Sequence, residues 1–235
     1  MLLAYGLSLH HLSACTVRRR MACLRGWFGY LRETGQIPAD PSRHIPMPRL
    51  PQPVPRAVSA DHIVRLLRAA TGPRERCMMM LMVAAGLRRG EVCQVRLTDL
   101  DMAAGWLVVR GKGAKERSVP LSERVAAAIT EWMKTRALTD SEFLFPSRQG
   151  GCVCGEVVSH ITRIAAGRAG LDRHEVTPHS LRHTFATQLA RAGTDIRTIQ
   201  LLLGHSSMDT TARYIESADA VKQRAVSRLN GLLEG

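Results

Sequence analysis

The sequence has few aromatic residues and no long uncharged hydrophobic segment. Phe, Trp and Tyr make up only 4% of the chain, so we expect a core of aliphatic side chains and methionine. The longest apolar run, residues 77–87, is too short to cross a bilayer. Residues 1–15 lack the basic segment that opens a secretory signal peptide. We therefore expect no membrane association.

The six cysteines have neither the spacing of a zinc finger nor that of a disulfide framework. Cys77 and Cys93 lie in apolar, helical surroundings and are predicted to be ordinary buried thiols. Cys152 and Cys154 are too close together for a C-x-x-C pair. A chain without disulfides fits a reducing compartment, so we expect a cytoplasmic protein.

Acidic residues are scarce relative to basic ones. The chain has 33 Lys and Arg against 20 Asp and Glu, a net charge of +13. Residues 1–56 alone carry eight Arg and two acidic residues, a local charge of 8 − 2 = +6. Such a surplus favours a polyanionic partner, usually nucleic acid. The alternative is a basic surface that is merely solvated.

A proline-rich stretch divides the chain. Seven of the 11 prolines lie between Pro38 and Pro55, which predicts an extended linker over 38–56 and a domain boundary there. Residues 1–37 are too few for a stable independent domain. Residues 16–31 read as a helix with an apolar stripe. Its arginines are candidates for contacts with phosphates: Arg18, Arg19, Arg20 and Arg25.

Residues 57–235 predict a mainly α domain with a small antiparallel β-hairpin sheet. Strands are expected at 106–109, 118–120 and 143–145. Apolar periodicity and end signals predict the helices: 59–70, 74–85, a short helix after the break at 86–91, 121–135, 155–169, 178–192, 195–203, 207–215 and 219–233.

The segment 177–189 places a His and an Arg at the start of an otherwise apolar helix. Pro178 suits the first helical position and Thr177 the N-cap. His179 and Arg182 then share a face at the positive helix end, where an anion is the missing partner. His179 and His183 also have the spacing of two metal ligands, but the Glu of a metalloprotease motif is absent and Arg182 would repel a cation. We expect no metal here.

Two further basic motifs have alternative interpretations. Glu91 follows Arg88 by three residues and can orient its guanidinium, although a weak surface pair is the alternative. The turn 111–117 has the spacing of neither a Walker motif nor a dinucleotide fingerprint. It can present Lys112 to a phosphate, or it is a plain surface turn.

Taken together, these residues are what phosphoryl transfer through a covalent tyrosine requires. Cations neutralise the phosphodiester in the transition state, tyrosine supplies the nucleophile and histidines move protons. The predicted catalytic set is Arg88, Lys112, His179, Arg182, His205 and Tyr214.

The sequence resembles a tyrosine recombinase of the phage integrase family, and most of all the Xer-type enzymes. The resemblance covers residues from about 57 to the end. It lies in four segments with family-like intervals (182 − 179 = 3, 205 − 182 = 23, 214 − 205 = 9). These are A-G-L-R-R-G-E at 85–91, G-K-G-A-K-E-R at 111–117, H-S-L-R-H-T-F-A-T at 179–187, and L-G-H-S with T-T-x-x-Y at 203–214.

The resemblance implies a DNA breaking-rejoining catalytic fold and a role for each matched residue. Tyr214 would attack the scissile phosphate and form a 3′-phosphotyrosine. Lys112 would protonate the leaving 5′ oxygen, with Lys115 as the alternative acid, and His179 would assist at the tyrosine. Arg88, Arg182 and His205 would bind the non-bridging oxygens, with Glu91 in support. The reaction would need neither ATP nor a metal.

The implied partner is double-stranded DNA at specific recombination sites, with Arg89 and Arg117 as further candidate contacts. The family also implies a homo-oligomer, a dimer on each site and a tetramer in synapsis, held by the C-terminal helix at 219–233. The alternative is that this helix packs against its own chain. We also expect the protein to recombine the DNA of a mobile element or replicon.

The N-terminus departs from the family pattern. Members have a helical core-binding domain, of which residues 1–37 correspond only to a remnant. We expect a truncated copy or a misassigned start codon, with weakened grip on DNA. Two alternatives remain beside the recombinase: a type IB topoisomerase-like nicking and rejoining enzyme, and an inactive or accessory DNA-binding protein.

Overall fold

A computed structural model describes residue 5 and residues 8–48, 57–111, 116–136 and 140–204. The chain forms two compact units, Met1–Pro53 and Val54–Gly235. The boundary between them falls within the proline-rich stretch 38–56. Each unit is described by itself below. Among the described residues, no helix is both long enough and apolar enough to span a membrane.

The first unit is built on one long helix, α1 (Ala14–Glu33), which covers the predicted helical segment. Its small core contains Leu9, Met21 and Ile45. Arg25 Nη2 donates a hydrogen bond to the carbonyl oxygen of Ile45 at 2.6 Å. Residues near 45 therefore pack against α1, whereas the prolines around them had predicted only an extended linker.

The helices of the second unit are α2 (Ala60–Arg68), α3 (Pro73–Val83), α4 (Arg89–Gln94), α5 (Glu123–Thr135), α6 (Gly155–Arg168), α7 (Pro178–Arg191) and α8 (Ile196–Leu203). They lie where the sequence places them, with ends shifted by a few residues. The predicted helices 207–215 and 219–233 lie outside the described residues.

Helix α3 lies at the centre of the second unit. Residues 77–82 are all buried, so this helix has no solvent face along that stretch. It packs against α5 and α7. Methionine supplies much of its surface, at positions 78, 79, 80 and 82, because a flexible thioether fills irregular gaps that aromatic rings would otherwise occupy. The expected aliphatic and methionine core is confirmed.

A three-stranded antiparallel sheet lies beside the helices, in the order β1 (Leu100–Asp101), β2 (Trp106–Arg110) and β3 (Glu116–Pro120). Strands β2 and β3 form the predicted hairpin, and Val109 lies opposite Arg117. Strand β1 was not predicted. The mainly α fold class with a small antiparallel sheet is confirmed.

The prediction of a strand over 143–145 is wrong. Phe143 forms only an isolated bridge with Arg96, and a second bridge joins Pro146 to Cys152. Leu144 and Phe145 are fully buried. These buried residues therefore belong to an irregular segment. A run of three apolar residues in the sequence does not distinguish such a segment from a strand.

Candidate active site

The turn after α3 places a backbone carbonyl toward the centre of the unit. Gly86 has φ +69°, and the Leu87 amide donates to the carbonyl of Leu81 at 3.0 Å. A Cβ at position 86 would overlap the ring of Phe185, lying 2.6 Å from its Cε1. Glycine fits position 86 for two reasons: other residues are strained in the left-handed region, and their Cβ would meet the Phe185 ring.

Arg88 precedes α4, and Glu91 reaches back to it. The Arg88 amide donates to Glu91 Oε2 and the Arg88 Nη1 to Glu91 Oε1, both at 2.7 Å. Glu91 is 7% exposed, whereas the Arg88 side chain is 44% exposed. The predicted support of Arg88 by Glu91 is thus present as a contact, and it leaves Arg88 accessible.

Arg117 binds the same carboxylate from the sheet. Its Nη1 and Nη2 donate to Glu91 Oε1 and Oε2 at 2.8 and 2.7 Å. Its Nε donates to the carbonyl of Leu202 at 2.8 Å. The Arg117 side chain is only 10% exposed. The sequence placed Arg117 among the candidate DNA contacts, but the structure directs its guanidinium into the protein.

The carboxyl of Glu91 is held ionised. Burial alone would raise its pKa, but the hydrogen bonds and charge of Arg117, followed by those of Arg88, lower the pKa to about 2. Glu91 is therefore a fixed negative charge between guanidinium groups at any physiological pH.

Arg182 enters this cluster from the first turns of α7. Thr177 and Ser180 cap that helix reciprocally, with 3.1 Å from the Ser180 amide to Thr177 Oγ1 and 2.8 Å from the Thr177 amide to Ser180 Oγ. Arg182 is 4% exposed. Its Nη1 lies 2.5 Å from the Gly86 carbonyl oxygen and 3.6 Å from Glu91 Oε2.

The end of α8 completes the cluster. Arg182 Nη2 donates to the carbonyl of Leu203 at 2.6 Å, and Arg88 Nη2 donates to that of Gly204 at 3.2 Å. Gly204 ends the helix in the left-handed conformation, with φ +61°. Four separate segments, 86–91, Arg117 of β3, 177–182 and 202–204, therefore meet around one buried carboxylate.

Comparison with known proteins shows the family of this chain. The model of the phage integrase family matches residues 56–220. The chain belongs to the phage integrase family.

Curated relatives in this family are tyrosine recombinases. The chain is 35% identical to XerC of Xanthomonas axonopodis pv. citri (strain 306) over 207 residues, covering 86% of this chain and 68% of XerC. It is 38% identical to XerD of Caulobacter vibrioides (strain ATCC 19089 / CIP 103742 / CB 15) over 220 residues, covering 88% and 72%. Against XerC of Xanthomonas campestris the span is 64% of the relative, so the chain covers about two thirds of such relatives.

The fold agrees with this membership. The crystal structure of the XerH site-specific recombinase bound to palindromic difH substrate aligns with a TM-score of 0.79 at 23% identity, covering 94% of this chain and 69% of XerH. The helices α2–α8 and the small sheet of the second unit are therefore those of a phage integrase catalytic domain.

Not all of the family's predicted catalytic residues are described. Arg88 and Arg182 are brought together by Glu91, and His179 is exposed on the first turn of α7. The remaining predicted site residues lie outside the described residues: Lys112, Lys115, His205 and Tyr214.

The other candidate DNA contacts differ in exposure. Arg18, Arg19 and Arg20 are exposed on α1. Arg25 is partly buried through its bond to Ile45. Arg89 Nη1 donates to Ser159 Oγ at 3.1 Å, at an open groove of about 490 Å³ between α4 and α6.

Side chains expected to be structural are indeed buried. His183 is 2% exposed, which agrees with packing. Cys77 and Cys93 are buried, and desolvation raises the pKa of their thiols to about 12 and about 11. Both thiols therefore remain protonated and unreactive near neutral pH.

Proposed function

We propose that this chain is a site-specific recombinase that cuts and rejoins DNA strands through a 3′-phosphotyrosine intermediate. The observation that carries the proposal is the convergence of 86–91, 177–182 and 202–204 on the cluster of Glu91, Arg88 and Arg182. Segments that are far apart in sequence, each overlapping a matched integrase motif, contribute to one site. Such convergence is what a catalytic constellation requires.

The charge of the site suits a phosphodiester. Three guanidinium groups, of Arg88, Arg117 and Arg182, lie within 3.6 Å of the Glu91 carboxylate. Arg88 and Arg182 are proposed to bind the non-bridging oxygens together with His205. Preorganised cations of this kind stabilise the charge that develops in phosphoryl transfer.

The proposed chemistry consists of two transesterifications. The Tyr214 oxygen attacks the scissile phosphorus while the bond to the 5′ oxygen breaks, and Lys112 (with Lys115 as the alternative) gives that oxygen a proton. His179 assists removal of the tyrosine proton. A 5′-hydroxyl of the partner strand then attacks the phosphotyrosine and releases Tyr214. One phosphoester replaces another at each step, so rejoining needs no ATP. The Arg, His and Lys side chains are proposed to stabilise the phosphate charge in place of a metal.

Double-stranded DNA is the proposed substrate. The net charge of +13 and the exposed Arg18, Arg19 and Arg20 favour binding to phosphates. The XerH structure contains a difH DNA substrate. From the family resemblance we also propose a dimer on each site and a tetramer in synapsis, held by the helix predicted at 219–233.

A covalent trap tests the proposal. The protein is incubated with a duplex library that carries a randomised central segment and nicks, so that the cleaved strand diffuses away. DNA bound to protein after denaturation is recovered and sequenced. We expect adducts at one recurring sequence, in EDTA as in its absence. Tyr214→Phe should abolish them, and an adduct that survives this substitution would overturn the assignment of the nucleophile.

A second substrate separates the roles and the alternatives. A 5′-phosphorothiolate leaving group needs no proton. Lys112→Ala should therefore slow cleavage of the phosphorothiolate substrate far less than it slows cleavage of ordinary DNA. Equal losses on both substrates would refute the acid role of Lys112. Joining between two duplexes indicates a recombinase, whereas relaxation within one duplex without exchange indicates a topoisomerase-like enzyme. Binding without any adduct indicates an accessory protein.

A further inference from the structure

Arg117 connects three parts of the site through a single side chain. It lies in β3, opposite Val109 of β2. Its Nη atoms bind both oxygens of Glu91 in α4, and its Nε binds the carbonyl of Leu202 in α8. These three donors point in fixed directions because the guanidinium is planar. Sheet and helices are therefore held at one mutual distance.

The geometry of Arg117 is that of an internal clamp. The side chain is 10% exposed, in contrast to 44% for Arg88. Three of its donors are satisfied at 2.7 to 2.8 Å by protein oxygens. A lysine in this place could not make the same three bonds at once, because its ammonium is a point charge on a flexible stem.

The contacts of Arg117 lie next to the segments with the proposed chemistry. In sequence, Arg117 follows Lys115 by two residues and Lys112 by five, and Leu202 precedes His205 by three. Glu91, its main partner, also holds Arg88. A Cβ at Gly204 would lie 3.1 Å from Arg117 Cδ, so the end of α8 is fitted closely around this side chain.

We propose that Arg117 is a positioning residue for strand cleavage and not a DNA contact. It fixes Glu91, and through Glu91 the accessible Arg88, relative to the hairpin β2–β3 and the end of α8. This inference rests on the proposed function for its catalytic consequence, but the positioning itself can be measured without DNA cleavage.

The test compares Arg117→Gln and Arg117→Lys with the wild-type chain. For single-turnover cleavage of the trapping substrate, we expect a loss of about a hundredfold for Arg117→Gln, since a misplacement of about 1 Å costs that much. Arg117→Lys should recover part of the rate. The affinity for the same duplex should change less than about twofold, and its salt dependence should stay the same, whereas loss of a phosphate contact lowers the salt slope by about one.

A matched variant controls for general loss of stability. Arg136 is another partly buried arginine, and its Nη2 donates to the carbonyls of Ser141 and Phe143 at 2.8 and 3.0 Å. Arg136→Gln removes a similar clamp without touching Glu91. It should lower stability but leave the cleavage rate of the folded fraction within about twofold. Parallel loss of rate in both variants would overturn a specific role for Arg117.

Two measurements on the free protein decide the inference even if no DNA is cleaved. Hydrogen exchange should quicken at the Leu203 and Gly204 amides in Arg117→Gln. Infrared titration of carboxyl-labelled glutamate should show the Glu91 carboxyl binding its proton at higher pH in that variant. Unchanged exchange and titration, or a fall in DNA affinity that accounts for the whole loss of rate, would refute positioning. Absence of adducts with the wild-type chain would refute the proposed function alone.

Discussion

Glu91→Gln gives the most direct test of the electrostatic argument. The substitution keeps the shape of the side chain but removes the charge that faces Arg88 and Arg117. The pKa of Glu91 is about 2 in the folded protein against an ordinary 4.5. At about 1.4 kcal/mol for each tenfold change in acidity, this depression corresponds to about 3 kcal/mol of folding free energy.

The pH dependence of this stabilisation has a defined sign. Because the pKa is depressed on folding, the contribution is fully present above the unfolded value near 4.5 and is lost as the pH falls toward 2. We expect Glu91→Gln to lower the free energy of unfolding by about 3 kcal/mol at pH 7. The difference from wild type should shrink progressively between pH 4.5 and 2, where the wild-type carboxyl also becomes neutral.

Urea unfolding of both proteins across that pH range measures the effect. Glu142→Gln is the matched control, because Glu142 forms a 2.9 Å ion pair with Arg96 but is 52% exposed. That pair should contribute less than about 1 kcal/mol. A Glu91→Gln difference equal to that of the control, or one that stays constant from pH 7 to pH 3, would refute the reasoning.

Two further substitutions test the packing around the site by urea unfolding. Gly86→Ala should lower the free energy of unfolding by about 2 to 4 kcal/mol, because φ is +69° and the new Cβ would overlap the Phe185 ring. The control Gly90→Ala has open space at the Cβ and should lower it by less than about 1 kcal/mol. Equal losses in the two variants would contradict the clash. Thr184→Val should cost about 1 to 3 kcal/mol, because the Val58 amide loses its 2.9 Å acceptor in a buried place; an unchanged midpoint would show that this bond is dispensable.

The sequence predicted the local parts of this protein well, for physical reasons. Helix ends depend on neighbouring residues, so Thr177 and Pro178 indicated where α7 begins. The pairing of Arg88 with Glu91 spans three residues at the start of one short helix and is likewise local. The resemblance to the phage integrase family supplied the grouping of distant motifs, which periodicity alone does not contain.

Contacts between distant segments were not predictable in the same way. Arg117 lies 26 residues from Glu91 and 85 from Leu202, so its neighbours in the sequence do not indicate which groups its charge meets. One signal was available. Arg117 is two residues from Val119, which is buried, and alternate residues of a strand share a face. That parity placed Arg117 on the inner face of β3.

The two carbonyl anchors of Arg182 have a consequence for how this site can change by mutation. They belong to the backbone of Gly86 and Leu203, and so no single side-chain substitution can delete either acceptor. The position of Arg182 depends instead on the backbone conformation at the left-handed glycines Gly86 and Gly204. Backbone changes at these two glycines are therefore expected to displace Arg182, in addition to changes at Glu91, whose Oε2 lies 3.6 Å from Arg182 Nη1.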